Sequence, residues 1–227
     1  ERLAELMNAY TNKMIMGREV IADKGIWTAK KRYMLNVWDS EGVRYAKPKL
    51  KIMGIETTRS STPMVVRTKL KEAISLVLSS DEETIQKFIA DFKQEFKSLP
   101  PEDVAFPRGC NGMVKYRDTS SIYRKGTPIA VKGALLYNFH LKDKGLDRKY
   151  EVIKDGEKVK FLYLKVPNTI NDTVVSFTSR LPVELDLHEY VDYNKQFEVS
   201  FLEPLKTILV SREWSAEKTA TLEGLFG

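Results

Sequence analysis

Hydrophobic positions in the first third of the chain change period twice. Leu3, Leu6, Met7, Tyr10 and Met14 recur at steps of three and four, which predicts a helix with one apolar face. Gly17 and Gly25 then bracket a connection. From Tyr33 to Trp38 the pattern alternates, with Tyr33, Leu35 and Val37 on one side, as in a half-buried strand. Asp39-Ser-Glu-Gly42 carries turn chemistry, residues 43–45 can return as a second strand, and residues 50–55 form a third short extended run. Helix, hairpin and strand look like one end of an α+β sheet domain and not a complete domain.

The period then settles near 3.6. Ser60-Ser61-Thr62-Pro63 reads as a helix start, with Thr62 as the N-cap and Pro63 in the first helical position. Val66, Leu70, Ala73, Ile74, Val77 and Leu78 supply the apolar face. Ser80-Asp-Glu-Glu83 has the form of a capping box and opens a second helix, whose face is Ile85, Phe88, Ile89, Phe92 and Phe96. Leu99-Pro100-Pro101 ends it, so the two helices form an αα-hairpin. Residues 100–126 read as loop, with Pro107, Gly109, Gly112 and Gly126. A helix is expected over 129–139, then a turn at Gly156, an alternating strand over 159–166 and a partner strand over 174–177. A last helix carries Val191, Phe197, Phe201 and Leu205, with Pro204 ending or kinking it. There is no internal repeat and no low-complexity segment.

Composition narrows the class. Of 227 residues, 42% are hydrophobic, enough to build a core. No apolar run approaches the ~18 residues of a membrane span. Cys110 is the only cysteine, which fits a reducing compartment. His140 and His188 have no Cys or His at ligand spacing, so no zinc site is expected. The first segment is charged and amphipathic, unlike a signal peptide, and begins at Glu1, which reads as a helix cut from within a longer protein. The net charge of +6 is unevenly placed: residues 1–71 carry a balance of +8 and the remainder −2. A basic excess confined to one third of the chain points to a polyanion, nucleic acid before membrane, or else to a solvated basic face.

The excess centres on Lys30, Lys31, Arg32 and Tyr33, set against the alternating strand. Further on come Lys49-Leu-Lys51-Ile-Met-Gly-Ile-Glu56 and Thr57-Thr-Arg59-Ser60-Ser61-Thr62-Pro63. A basic tetrad alone is common, but these three runs in this order and spacing resemble the KKRY motif of family B DNA polymerases and the run that leads out of their palm into their thumb. Within that family the resemblance is to the replicative polymerases of T-even-type bacteriophages. It implies an α+β fold in which the tail of the palm sheet (1–58) is followed by a mainly helical thumb with a small antiparallel β element (59–215), and then by a tail (216–227). It also implies a role in gripping primer–template duplex during viral DNA replication in the cytoplasm of the infected host. Lys31 and Tyr33 would meet the minor groove, whose acceptor pattern is nearly sequence-blind. Lys30 and Arg32 would meet phosphates, and Lys49, Lys51, Arg59, Ser60, Ser61 and Thr62 would continue the track. On residue chemistry alone, Lys47, Lys49 and Lys51 also read as protection of an edge strand. Arg108, Lys115, Arg117, Arg124 and Lys125 lie in the 106–126 loop, which reads equally as a DNA contact and as plain surface. One departure from the family is Glu203 before Pro204, where relatives carry a lysine.

Polymerase chemistry needs two metal ions held by carboxylates. The resemblance implies two Mg²⁺ for the parent enzyme, in a palm site upstream of this chain. An Asp-Thr-Asp-Ser run is absent here, so the chain alone is expected to be inactive, with no catalytic or metal-binding residues of its own. The remainder of the polymerase is then an implied partner, and no membrane is. The end of the chain, SAEKTATLEGLFG, places Leu222, Leu225 and Phe226 within five residues. It packs on its own domain or, as the resemblance implies, docks in a pocket of a sliding clamp. Two alternatives share the charge pattern: a stand-alone, non-catalytic DNA-binding accessory protein, and the second chain of a naturally split polymerase.

Overall fold

A computed structural model describes residues 2–9, 17–55, 57 and 59–218. The positions expected to matter at Tyr10, Met14, Glu56, Leu222, Leu225 and Phe226 lie outside the described residues. The chain is α+β: the described residues form two three-stranded antiparallel sheets, a hairpin of two two-residue strands, and helices between them.

Helix α1 (Arg2–Ala9) precedes the first sheet, which is a plain meander of β1 (Val20–Ala29), β2 (Arg32–Ser40) and β3 (Val43–Met53). Two expectations change here. The segment between Gly17 and Gly25 is not a connection, because β1 runs through it. The second and third extended runs are one strand, β3, with Pro48 inside it. Proline lacks the ladder N–H and sits on edge strands, and β3 is an edge of this sheet. The pairing shifts between Val37 and Asp39, opposite the stretch holding Pro48, so the bulge absorbs the residues that break the short-strand pattern. Glu41 and Gly42 turn the second hairpin at positive φ, and Asp39 Oδ1 accepts the Gly42 N–H at 3.0 Å.

Tyr33, Leu35 and Val37 do share a side of β2, but the side that meets the main core is the other one. Met34 is fully buried there beside Ile26, with Ile52 partly buried, against the helices that follow. Sequence alternation gives the two faces and not which of them is covered.

Helix α2 (Met64–Ser79) buries all six expected apolar residues. Pro63 precedes its first residue, and no side chain caps it. Thr62 is therefore not the N-cap, and it is buried. Helix α3 (Glu82–Lys97) is capped by Asp81, which accepts from Thr84 N–H at 2.9 Å. The expected capping Ser80 instead closes α2, donating its N–H to Leu76 O. Asp and Ser cap about equally well, and here the tight link leaves Asp81 at the helix mouth.

The stretch read as loop holds the one-turn helices α4 (Pro101–Val104) and α5 (Met113–Tyr116), a strand β4 (Phe106–Gly109), and the small hairpin β5 (Arg117–Asp118) and β6 (Ile122–Tyr123). Helix α6 (Ile129–Asp143) follows, packed on β8 (Val174–Phe177). The second sheet has the order β4–β7–β8, with β7 (Lys158–Tyr163) in the middle. The last helical stretch is α7 (Tyr193–Phe197), a π-helical turn over Glu198–Leu202 and α8 (Glu203–Leu209). Pro204 reshapes this helix and does not end it, because a wider turn just before it accommodates a residue with no N–H to donate. Phe92, Phe96, Phe197 and Phe201 join α3 to this helix with ring centroids 4.8–5.7 Å apart. Burial of each ring is worth about 1.5–3 kcal/mol. Among the described residues no helix is long and apolar enough to cross a membrane.

Candidate nucleic-acid interface

The basic tetrad sits on the turn that joins β1 to β2. Ala29 pairs with Arg32, so Lys30 and Lys31 form the turn itself, and both side chains are exposed. Lys31 adopts φ 63°, a left-handed conformation that costs a non-glycine residue roughly 1–2 kcal/mol. Packing holds it there. Gly54, just past β3 and itself at φ 69°, lies so close that a Cβ on it would overlap the Lys31 carbonyl oxygen and stand 3.1 Å from Arg32 Cγ. The glycine of the second motif is thus the support of the turn in the first. Runs separated by about twenty residues in sequence meet because β2 and β3 are adjacent strands.

Tyr33 is the middle member of a row that crosses the sheet, Trp27–Tyr33–Met53. Trp27 is 65% exposed and Met53 46%. The next rows on the same side carry Leu35 opposite Lys51 and Val37 opposite Lys49. Lys51 Nζ is 2.6 Å from Glu19 Oε1, and that hydrogen bond raises the lysine's pKa while lowering the glutamate's. Lys49 Nζ stands 4.0 Å from the centre of the Tyr45 ring. Lys47, Pro48 and Lys49 lie on the free edge of β3, where lysine and proline discourage pairing with another chain, so the position of Lys47 follows from the sheet alone. The sequence pattern did not single out Trp27 and Met53. Their place beside Tyr33 depends on register, and the missed strand β1 concealed it.

Residues 59–62 form a turn closed by Thr62 N–H to Arg59 O at 3.2 Å. Arg59 and Ser60 are exposed and Ser61 partly so. Thr62, expected to offer its hydroxyl, is only 6% exposed and leaves the candidate surface for the core. Arg108, on β4, reaches this turn and donates from Nη1 to Ser61 O at 2.8 Å. Lys115, Arg117, Arg124 and Lys125 are exposed on and around α5 and the β5–β6 hairpin.

Three acids near this surface, Glu19, Asp23 and Asp39, have local partners. Asp39 is buried and meets Arg18 Nη2 at 3.2 Å as well as the Gly42 N–H, and Asp23 accepts from Asn36 at 2.7 Å. Among the described residues no group of three or more His, Cys, Asp or Glu side chains is placed to hold a metal ion. These residues do not fit a pair of magnesium ions.

No family model matches the sequence. The chain is 35% identical over 237 aligned positions to the DNA-directed DNA polymerase of Enterobacteria phage T4. It is 37% identical over 236 positions to that of Escherichia phage RB69. Each match takes in 99% of this chain and 26% of the relative, so the chain spans about a quarter of the length of these proteins. The chain is thus a relative of the phage DNA-directed DNA polymerases, matched along almost all of its own length.

Proposed function

We propose that the chain is the C-terminal portion of a family B phage DNA polymerase, with the end of the palm at 1–58, the thumb at 59–215 and a clamp-binding tail at 216–227. In this reading it grips primer–template duplex behind the catalytic centre of the parent enzyme. The observation that carries the reading is the contact between two motifs at the 30–31 turn. The Gly54 backbone backs the Lys31 carbonyl, and both lysines project from the end of the sheet beside Tyr33.

The chemistry suits a grip that must accept any sequence. Lysine and arginine neutralise phosphates and release counterions, so binding weakens steeply with salt. The row of Trp27, Tyr33 and Met53 beside the cationic turn offers contact to the minor groove, whose acceptor pattern is nearly sequence-blind. Lys30, Lys31, Arg32 and Tyr33 form the head of this surface, and Lys49, Lys51, Arg59, Ser60 and Ser61 continue it. Nucleotidyl transfer belongs to the rest of the parent enzyme, where the implied magnesium pair would activate the primer hydroxyl. Leu222, Leu225 and Phe226 would tether that enzyme to a sliding clamp in the infected cell. The test is duplex affinity of the Lys31→Ala/Arg32→Ala double variant on several unrelated sequences. A similar loss on all of them supports the reading, and unchanged affinity makes the tetrad a solvated face.

A further inference from the structure

A groove of about 810 Å³ lies beside α3, between that helix and the stretch that carries α7 and the π-helical turn. Ile89, Phe197, Leu202 and Ala216 form its apolar floor, and the exposed Ala90 is its lip on α3. Lys87 and Lys93 also line it, and among the described residues neither has an ion-pair partner. The acids on the α3 side are taken up. Asp81 accepts the Thr84 N–H at 2.9 Å, and Glu83 meets Lys218 at 2.9 Å. On that side the charge left over is positive.

The groove lies where residues 215–218 are held along α3. Gln86 Nε2 donates to Ser215 O at 3.1 Å and to Glu217 O at 3.3 Å, and Ala216 and Lys218 line the groove themselves. Residues 219–227, which lie outside the described residues, read TATLEGLFG. Leu222 comes four residues after Lys218, so even a fully extended chain keeps it within about 14 Å of that lysine. Leu222, Leu225 and Phe226 stand at i, i+3 and i+4, a spacing that one surface can receive on a single helical face. Glu223 adds one negative charge beside them. An apolar trio with one acid matches an apolar floor flanked by two lysines without partners.

We propose that the groove on α3 is a berth for the chain's own residues 219–227, which lay Leu222, Leu225 and Phe226 over the Ile89–Phe197–Leu202 floor and bring Glu223 toward Lys87 and Lys93. Proximity favours this occupant over a partner in solution, because so short a tether holds it at roughly millimolar effective concentration. Ordering the segment opposes the gain from burying its side chains, so docking is nearly balanced and too weak to read as a change in melting temperature. The berth depends on this chain alone. Under the tether reading above, it competes with the clamp for the same three side chains.

The experiment is amide NMR of the intact chain beside a variant that ends at Thr221. Removing residues 222–227 should shift the amides of Ile89, Ala90 and Lys93 and leave those of Lys31, Arg32 and Tyr33 unmoved. Leu225→Ser/Phe226→Ser in the full-length chain should shift the same amides in the same direction. A peptide of residues 219–227, added at millimolar concentration to the shortened chain, should move them back. Lys87→Gln/Lys93→Gln should weaken that peptide's binding roughly twofold to fivefold, as for exposed ion pairs. Unchanged peptide binding in this variant would overturn the charge match on which the choice of occupant rests. Identical α3 spectra with and without the tail would overturn the proposal outright. So would shifts confined to Glu217 and Lys218, an effect of the new chain end, and shifts that grow with protein concentration, which would place the tail of a second copy in the groove.

Discussion

Lys31 and Gly54 share one constraint. Lys31 holds a left-handed backbone, and the absence of a side chain at Gly54 is what lets the end of β3 press on its carbonyl. Gly54→Ala should therefore combine two costs, about 1–2 kcal/mol for a left-handed alanine and a steric overlap on top. Gly42→Ala is the matched control, at φ 85° with nothing within 4 Å of its added Cβ, and should lose only the backbone cost of about 1–2 kcal/mol. Chemical denaturation and duplex binding measured on both variants separate the cases. Gly54→Ala is expected to be the less stable and to lose duplex affinity with the shape of the turn, while Gly42→Ala keeps its affinity. Equal stability and equal affinity would mean that the glycine of the second motif does not support the first. Thr62 shows the opposite limit of residue-level inference. The hydroxyl marked it as a surface group and a cap, yet it is buried in the core.

At the scale of elements, strong periodicity was legible and register was not. Helices α2 and α3 bury the expected faces because 3.6-residue spacing of Val, Leu, Ile and Phe leaves one solution, and only Phe88 stays half-buried. Strand β8 falls on residues 174–177 as read. Strand β1 was hidden by Gly25 and by charged residues along an exposed face, and β4 by Pro107 and Gly109. Both are edge strands, which need no continuous apolar run. The basic tetrad was legible as a cluster, but the row through Trp27 and Met53 needed the pairing of three strands. A partly buried ion pair likewise escaped the sequence. Lys132 on α6 meets Asp172 at 2.7 Å, and the Tyr123 hydroxyl of β6 donates to the same carboxylate at 2.7 Å. Burial acts to raise the Asp172 pKa, but the Lys132 and Tyr123 bonds outweigh it and hold the carboxyl below its ordinary value. Because the folded pKa is lowered, the contribution is complete above the ordinary carboxylate range and is lost as pH falls through the lowered value. Asp172→Asn should destabilise the chain by about 1–3 kcal/mol at neutral pH, and the gap to the wild type should close on acidification below about pH 4. A gap that stays constant with pH in denaturant titrations would show that the pair contributes nothing as a charged pair.

Across the whole molecule, most of the basic excess of the first 71 residues belongs to the first sheet and the turn leading into α2, and the rest to Arg67, Lys69 and Lys71 on α2. The other end of the chain is tied to α3. Glu82 accepts the Ser215 N–H at 2.6 Å, Gln86 holds the carbonyls of Ser215 and Glu217, and Lys218 pairs with Glu83 at 2.9 Å. Deleting residues 222–227 leaves every one of these contacts in place. The melting temperature and duplex affinity should therefore be unchanged, while clamp-dependent product length in the parent enzyme should shorten and clamp-independent extension should not. A clear loss of stability with no change in clamp response would make the tail part of the core. In the proposed function, the first sheet and the 59–62 turn form a sequence-blind, electrostatic grip on duplex DNA. The most direct test is the affinity of the intact wild-type chain for several duplexes of unrelated sequence, titrated with salt. Nearly equal affinities are expected, falling together and linearly in log–log form with a slope of several units. Affinity that is absent at low salt, or indifferent to salt, would contradict it.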